Sequence, residues 1–102
     1  MLTIRTTEIF DDWFCSLRDT AAQRRIQVRI DRLQMGNPGD MKAVRDGIHG
    51  LRIDHGPGHR LYVVQHGVVL IVLLCGGDKS TQETDIRRAI DQSRRLDVDD
   101  ME

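Results

Sequence analysis

The stretch LRIDHGPGHRLYVVQHGVVLIVLLCGGDKSTQ, running from Leu51 to Gln82, decides how this chain folds. Leu51 and Ile53 alternate with Arg52 and Asp54, and Leu61 and Val63 alternate with Arg60 and Tyr62. Such period-two alternation is the pattern of a strand with one buried face. His55-Gly56-Pro57-Gly58-His59 is a tight connection between them, so the two strands form a hairpin. After a turn at His66-Gly67, Val68 to Leu74 is continuously apolar, as in a central strand covered on both faces. Gly76-Gly77 reads either as a turn out of that strand with Lys79 solvated or as the approach to an anion site at the helix start beside Lys79. Ser80-Thr81-Gln82-Glu83 then has the form of a capping box and opens a helix whose apolar side is Ile86, Ala89, Ile90 and Leu96.

Upstream of this stretch, Met1 to Arg5 alternates weakly and reads as a first strand. Phe10, Trp13, Phe14 and Leu17 fall at helical spacing and form one apolar stripe, a core face rather than a binding surface. A second helix is expected from Thr20, where Thr20-Ala21-Ala22-Gln23 fits a capping box, with Ala22, Ile26, Ile30 and Leu33 buried. Gly36-Asn37-Pro38-Gly39 ends it, because glycine takes the left-handed cap and proline cannot continue a helix. Met41 to Val44 reads as a further strand before a turn at Asp46-Gly47. The order predicts an α+β protein: an N-terminal strand, two helices packed on an antiparallel sheet of about four to five strands, and a C-terminal helix.

One hundred and two residues suit one domain, assigned to residues 1–96, with 97–102 as an acidic tail. The net charge of -1 conceals an asymmetry: Asp97, Asp99, Asp100 and Glu102 crowd the last six residues and leave a mildly basic body. Cys15 and Cys75 show no metal or redox spacing and read as two buried free thiols. No apolar run is long enough to span a bilayer, and no leader is visible at Met1 to Arg5, so a cytoplasmic protein without a membrane partner is expected.

If the hairpin sets Asp54 opposite Arg60 and Arg52 opposite Tyr62, these four side chains share an open face. Asp54 would then orient Arg60. Arginines hold phosphate by paired hydrogen bonds and stabilise the charge that develops in phosphoryl transfer. His55 and His59, at the mouth of the hairpin, can take or give a proton near neutral pH, and Tyr62 can stack or hydrogen-bond. Arg52, Arg60, Tyr62, His55 and His59 are thus the catalytic candidates for metal-independent RNA cleavage. Lys42, Arg45 and Lys79 are the RNA-binding candidates. Neither a cofactor nor a metal site is expected, since His55 and His59 lack accompanying acidic or thiol ligands. Gly76 to Thr81 fails the nucleotide-loop pattern because Asp78 stands where a glycine is needed before Lys79. Arg25, Arg29 and Arg32, with Arg24 nearby, line one side of the second helix as either a solvated face or a docking surface.

Gly36-Asn37-Pro38-Gly39-Asp40, Leu51-Arg52-Ile53, Gly56-Pro57-Gly58, Arg60 and Leu73 to Gln82 together resemble the HigB-like addiction-module killer proteins. These belong to the RelE/ParE superfamily of bacterial type II toxin–antitoxin systems. The resemblance runs from about Phe10 to Ala89. It implies a RelE-like fold, a ribosome-dependent mRNA interferase that inhibits translation, and a helix-turn-helix antitoxin partner from the same operon. It singles out Arg52, Arg60 and Lys79. ParE-type relatives imply the alternative of a non-catalytic gyrase inhibitor, and a further alternative is an inactive homologue acting as corepressor with its antitoxin. The chain departs from the pattern at Gly50, where Glu is common, and at His55 and His59, where Tyr is usual.

Overall fold

A computed structural model describes residues 1–96, and the acidic stretch 97–102 lies outside the described residues. The chain runs β1 (Thr3–Thr6), α1 (Glu8–Ser16), α2 (Thr20–Gln34), β2 (Met41–Arg45), β3 (Ile48–Ile53), β4 (His59–His66), β5 (Leu70–Asp78), a 3₁₀ turn (Lys79–Thr81) and α3 (Gln82–Arg95). The five strands form one sheet in the order β1-β5-β4-β3-β2. The α+β expectation holds, with one difference in the sheet. β1 pairs parallel to β5, so the sheet is mixed rather than antiparallel.

β5 lies between β1 and β4 and is buried along nearly its whole length, as a continuously apolar strand requires. Phe10, Ile26 and Leu33 cover one face of the sheet, where Leu51, Ile53, Leu61, Val63, Ile71 and Leu73 point; Trp13 and Phe14 pack against that core. α3 covers part of the other face through Ile86 and Ala89, which meet Ile48, Tyr62, Val64, Leu70, Val72 and Leu74. The β4–β5 register slips beside Tyr62, which pairs with Cys75 while Val63 pairs with Leu73. Leu74 and Cys75 therefore both belong to the α3 side.

The glycine pair does not turn the chain. Gly76 and Gly77 lie inside β5, and neither takes a left-handed conformation. They are small because two side chains occupy the space above them. A Cβ on Gly76 would lie 2.3 Å from the Trp13 ring, and one on Gly77 would lie 1.8 Å from the Asp85 carboxylate. Gly56 and Gly58 are different, with φ of 57° and 80° in the connection that Pro57 interrupts.

The second helix begins at Thr20 as expected, though with a different cap, and the last helix begins two residues later than expected. Asp19, not Thr20, caps α2, accepting from the N–H groups of Ala21 (3.0 Å) and Ala22 (3.2 Å). Asp78 caps the 3₁₀ turn through the Ser80 N–H at 2.8 Å, and the α-helix begins only at Gln82. An aspartate one or two positions upstream takes the place of the hydroxyl because it brings a full negative charge to the positive end of the helix. Val68 and Val69 stay exposed in the β4–β5 turn, so the last strand starts at Leu70 and runs on to Asp78. Cys75 is buried as expected, but Cys15 is exposed because it lies on the outer side of α1.

His55 reaches back from the hairpin to Asp19, with Nε2 3.1 Å from the carboxylate. The Ala22 N–H and then His55 hold the Asp19 carboxyl below the usual carboxylate range. A depressed carboxyl contributes stability above its unfolded value and loses it as pH falls through its folded value. Asp19→Asn should therefore lower the melting temperature at neutral pH, and the difference from the wild type should close as pH is lowered through the carboxylate range. Thermal melts from pH 7 to strongly acid pH check this sign.

Candidate nucleic-acid interface

The site begins with strand register. Arg52 is directly opposite Arg60, and Gly50 is directly opposite Tyr62. The expected register is thus shifted by two residues, which keeps side-chain parity but removes Asp54 from the pairing. Asp54 lies beyond the end of β3 and does not orient Arg60. The turn sets this shift: Gly58, with positive φ, closes on His55 through an N–H bond of 3.1 Å, so pairing starts at Ile53 and His59.

On the α3 side, at the N-terminal edge of that helix, Lys42, Val44, Gly50, Arg52, Arg60, Tyr62 and Gln82 line a groove of about 190 Å³. The groove therefore collects Arg52, Arg60, Tyr62 and Lys42 from three neighbouring strands. Arg52 is exposed, with its Nε 3.9 Å from the Asp40 carboxylate, and Arg60 is half-buried with its Nη1 3.4 Å from the Gly58 carbonyl. Like charges directly opposite on a sheet are unfavourable unless something of opposite sign lies between them.

Tyr62 differs from the expectation of an open ring. It is 1% exposed, beneath α3, and its hydroxyl has no hydrogen-bond partner among the described residues. Burial, and then the neighbouring Asp85 carboxylate, push its phenol up to about 12. It therefore stays protonated near neutral pH and is available as a proton or hydrogen-bond donor. Asp85 is itself buried and accepts from the Thr81 hydroxyl at 2.6 Å, in the space that Gly77 leaves open.

The other candidates lie elsewhere. His59 is buried on the opposite face of the sheet, its ring 6.2 Å from that of Trp13, and its Nδ1 has no partner among the described residues. Alternation along β4 separates it from Arg60. His55 is engaged with Asp19. Lys79 is exposed on the 3₁₀ turn and does not line the groove, and Arg45 pairs with Glu83 of α3 at 2.5 Å. Cys75, pushed up to about 12 by burial and then by Asp85, is a core thiol. Val44 and Gln82 were not among the expected site residues, and Gly50 stood out only as a departure from the family pattern. Gly50 was detectable from parity with Arg52, but Gln82 enters only through the docking of α3. With glycine at position 50, the lining of the groove holds no carboxylate.

The fold and the groove define a class: a small α+β domain with a basic pocket at the N-terminal edge of its last helix. The chain is 52% identical over 88 residues to an uncharacterized protein of Haemophilus influenzae, spanning 86% of this chain and 89% of that one. It belongs to the same family as that protein. No protein-family model matches the chain. Among solved structures, the conserved hypothetical protein HP0894 of Helicobacter pylori is similar with a TM-score of 0.53 and 18% identity, over 78% of this chain and 97% of that one. That likeness is one of fold. No helix among the described residues is long and apolar enough to cross a membrane.

Proposed function

We propose that this chain is a RelE-like toxin of a type II toxin–antitoxin module and that it cleaves mRNA in the groove of Arg52 and Arg60. One observation carries the reading: Arg52 and Arg60, opposite each other in register on adjacent strands, line one groove with a buried phenol that has no hydrogen-bond partner among the described residues. An anion between them relieves the repulsion and gives the phenol an acceptor, and a phosphodiester suits all three groups. In the reaction the ribose 2′-oxygen attacks phosphorus, the bond to the 5′-oxygen breaks, and a cyclic phosphate and a 5′-hydroxyl result. Arg52 and Arg60 stabilise the extra charge on the phosphoryl oxygens. Tyr62 supplies a hydrogen bond to those oxygens or to the leaving oxygen. The groove lining holds no carboxylate or imidazole, so in this reading water takes the 2′-hydroxyl proton and returns one to the 5′-oxygen, while the ribosome positions the message for in-line attack. Antitoxin and ribosome are the partners this reading requires.

Induced expression in cells should stop incorporation of labelled amino acid and leave mRNA fragments with defined 5′-hydroxyl ends. DNA breaks preceding the translation block would instead identify a gyrase poison, and unimpaired growth would identify an inactive homologue. Tyr62→Phe separates the role of the phenol from its packing. Removing a buried hydroxyl without a partner should leave the melting temperature unchanged or raised. The same change should lower mRNA cleavage by about tenfold to a hundredfold, the range for loss of one proton or hydrogen-bond donor. Thermal melts and mapping of cleaved ends on one preparation read both.

A further inference from the structure

α2 presents a second basic surface, on the opposite side of the sheet from the groove. Its inner stripe is Ala22, Ile26 and Leu33. On its outer side Arg24, Arg25, Val28 and Arg32 succeed one another at neighbouring helical positions. With Ile53 and Asp54 from the end of β3 they enclose a cleft of about 340 Å³. Arg29 also lies in the cleft but is engaged. It donates to the carbonyls of Pro38 (3.0 Å), Asp40 (3.3 Å) and Arg52, clamping the loop after α2.

Arg24, Arg25 and Arg32 have no carboxylate partner among the described residues. The one acidic residue within α2, Asp31, accepts from Gln27 at 3.0 Å instead. Adjacent like charges on one helix face weaken the helix, so this arrangement is not explained by the stability of the isolated chain. Between these cations lies an apolar notch: Val28 is 45% exposed, and Ile53 forms the floor.

We infer that this face of α2 docks an acidic segment of a partner protein, with carboxylates on Arg24, Arg25 and Arg32 and an apolar side chain seated against Val28 and Ile53. Charge complementarity selects the acidic groups, and the exposed valine between arginines selects the apolar one. A nucleic acid fits less well. No aromatic ring lines the cleft to stack a base, and Asp54 in the cleft and Asp40 beside Arg52 interrupt any phosphate track toward the groove. The inference is independent of what the groove does.

The test is selection of a random-peptide phage library on the full chain, followed by titration of the selected synthetic peptides. Enriched peptides should carry two or more carboxylates around a Leu, Ile or Phe. Arg25→Glu with Arg32→Glu should weaken them by about a hundredfold, the scale of losing paired charges at an interface. Val28→Asp, a surface change outside the arginine set, should weaken them by about tenfold, as expected for an apolar anchor replaced by a like charge. Circular dichroism should show both variants folded, since the double change removes repulsion within α2. No enrichment, or enriched peptides held equally by both variants, would overturn the proposal. Displacement of the peptides by a short oligouridylate that itself depends on Arg25 and Arg32 would reassign the face to RNA.

Discussion

Arg60→Ala should reduce mRNA cleavage by about a hundredfold or more, the usual cost of removing one group that stabilises developing phosphoryl charge. Arg52→Ala should reduce it by a smaller factor. The two differ in environment: Arg60 is half-buried at the wall of the groove, whereas the Arg52 side chain is 56% exposed and shares Asp40. A charge acts more strongly where water is excluded. Stability should move in the opposite direction. Each alanine removes one of two cations held opposite each other in the strand register, so the melting temperature should hold or rise. Mapping of RNA ends in a translation reaction, beside thermal melts of the same preparations, reads both effects. Full cleavage by both variants would remove the groove from the mechanism. Growth arrest without cleavage would assign it another task.

Gly76→Ala and Gly77→Ala should each destabilise the fold by about 2–3 kcal/mol, at the upper end of ordinary overpacking. For a domain near a hundred residues, each kcal/mol lowers the melting temperature by roughly 4–8 °C. The cause is space, not backbone conformation. At Gly76 the new carbon meets the six-membered ring of Trp13 at 2.3 Å, and at Gly77 it meets the Asp85 carboxylate at 1.8 Å. Trp13→Leu should recover part of the loss from Gly76→Ala while leaving that from Gly77→Ala untouched, because the two glycines face opposite sides of the sheet. Equal rescue of both would mean that the strain is spread through β5 and not local.

Those glycines show what was legible in the sequence and what was not. Alternation at Leu51, Ile53, Leu61 and Val63 fixes which residues face the helices, since period two leaves no other choice. Register is a weaker signal, because a shift of two residues preserves every face. It moved Arg52 from Tyr62 to Arg60, and only the closed turn at Gly58 decides it. Gly76-Gly77 reads locally as a turn, yet its cause is a tryptophan about sixty residues earlier. The same holds for the site. Arg52, Arg60, Tyr62 and Lys42 come together as parity implies, but His59 falls on the other face. Tyr62 becomes buried through the placement of α3, which no local pattern encodes. The parallel attachment of β1 was equally invisible, since four residues carry too little alternation to announce a partner.

That attachment has a consequence for how the molecule comes into being. β5 receives β1 along one edge, β4 along the other, α1 on one face and α3 on the other. Thr3 pairs with Leu70 and Thr6 with Leu73, so the first strand waits for a partner synthesised well over half a chain later. During translation the aromatic stripe of α1 and the apolar face of α2 have no complete sheet to cover them. Loop closure over such a separation must precede the contacts that reward it, which makes acquisition of structure late and cooperative. β2, β3 and β4 can pair with one another beforehand, but the nascent chain lacks the strand that closes its core until β5 has emerged, and its apolar faces stay open to aggregation until then.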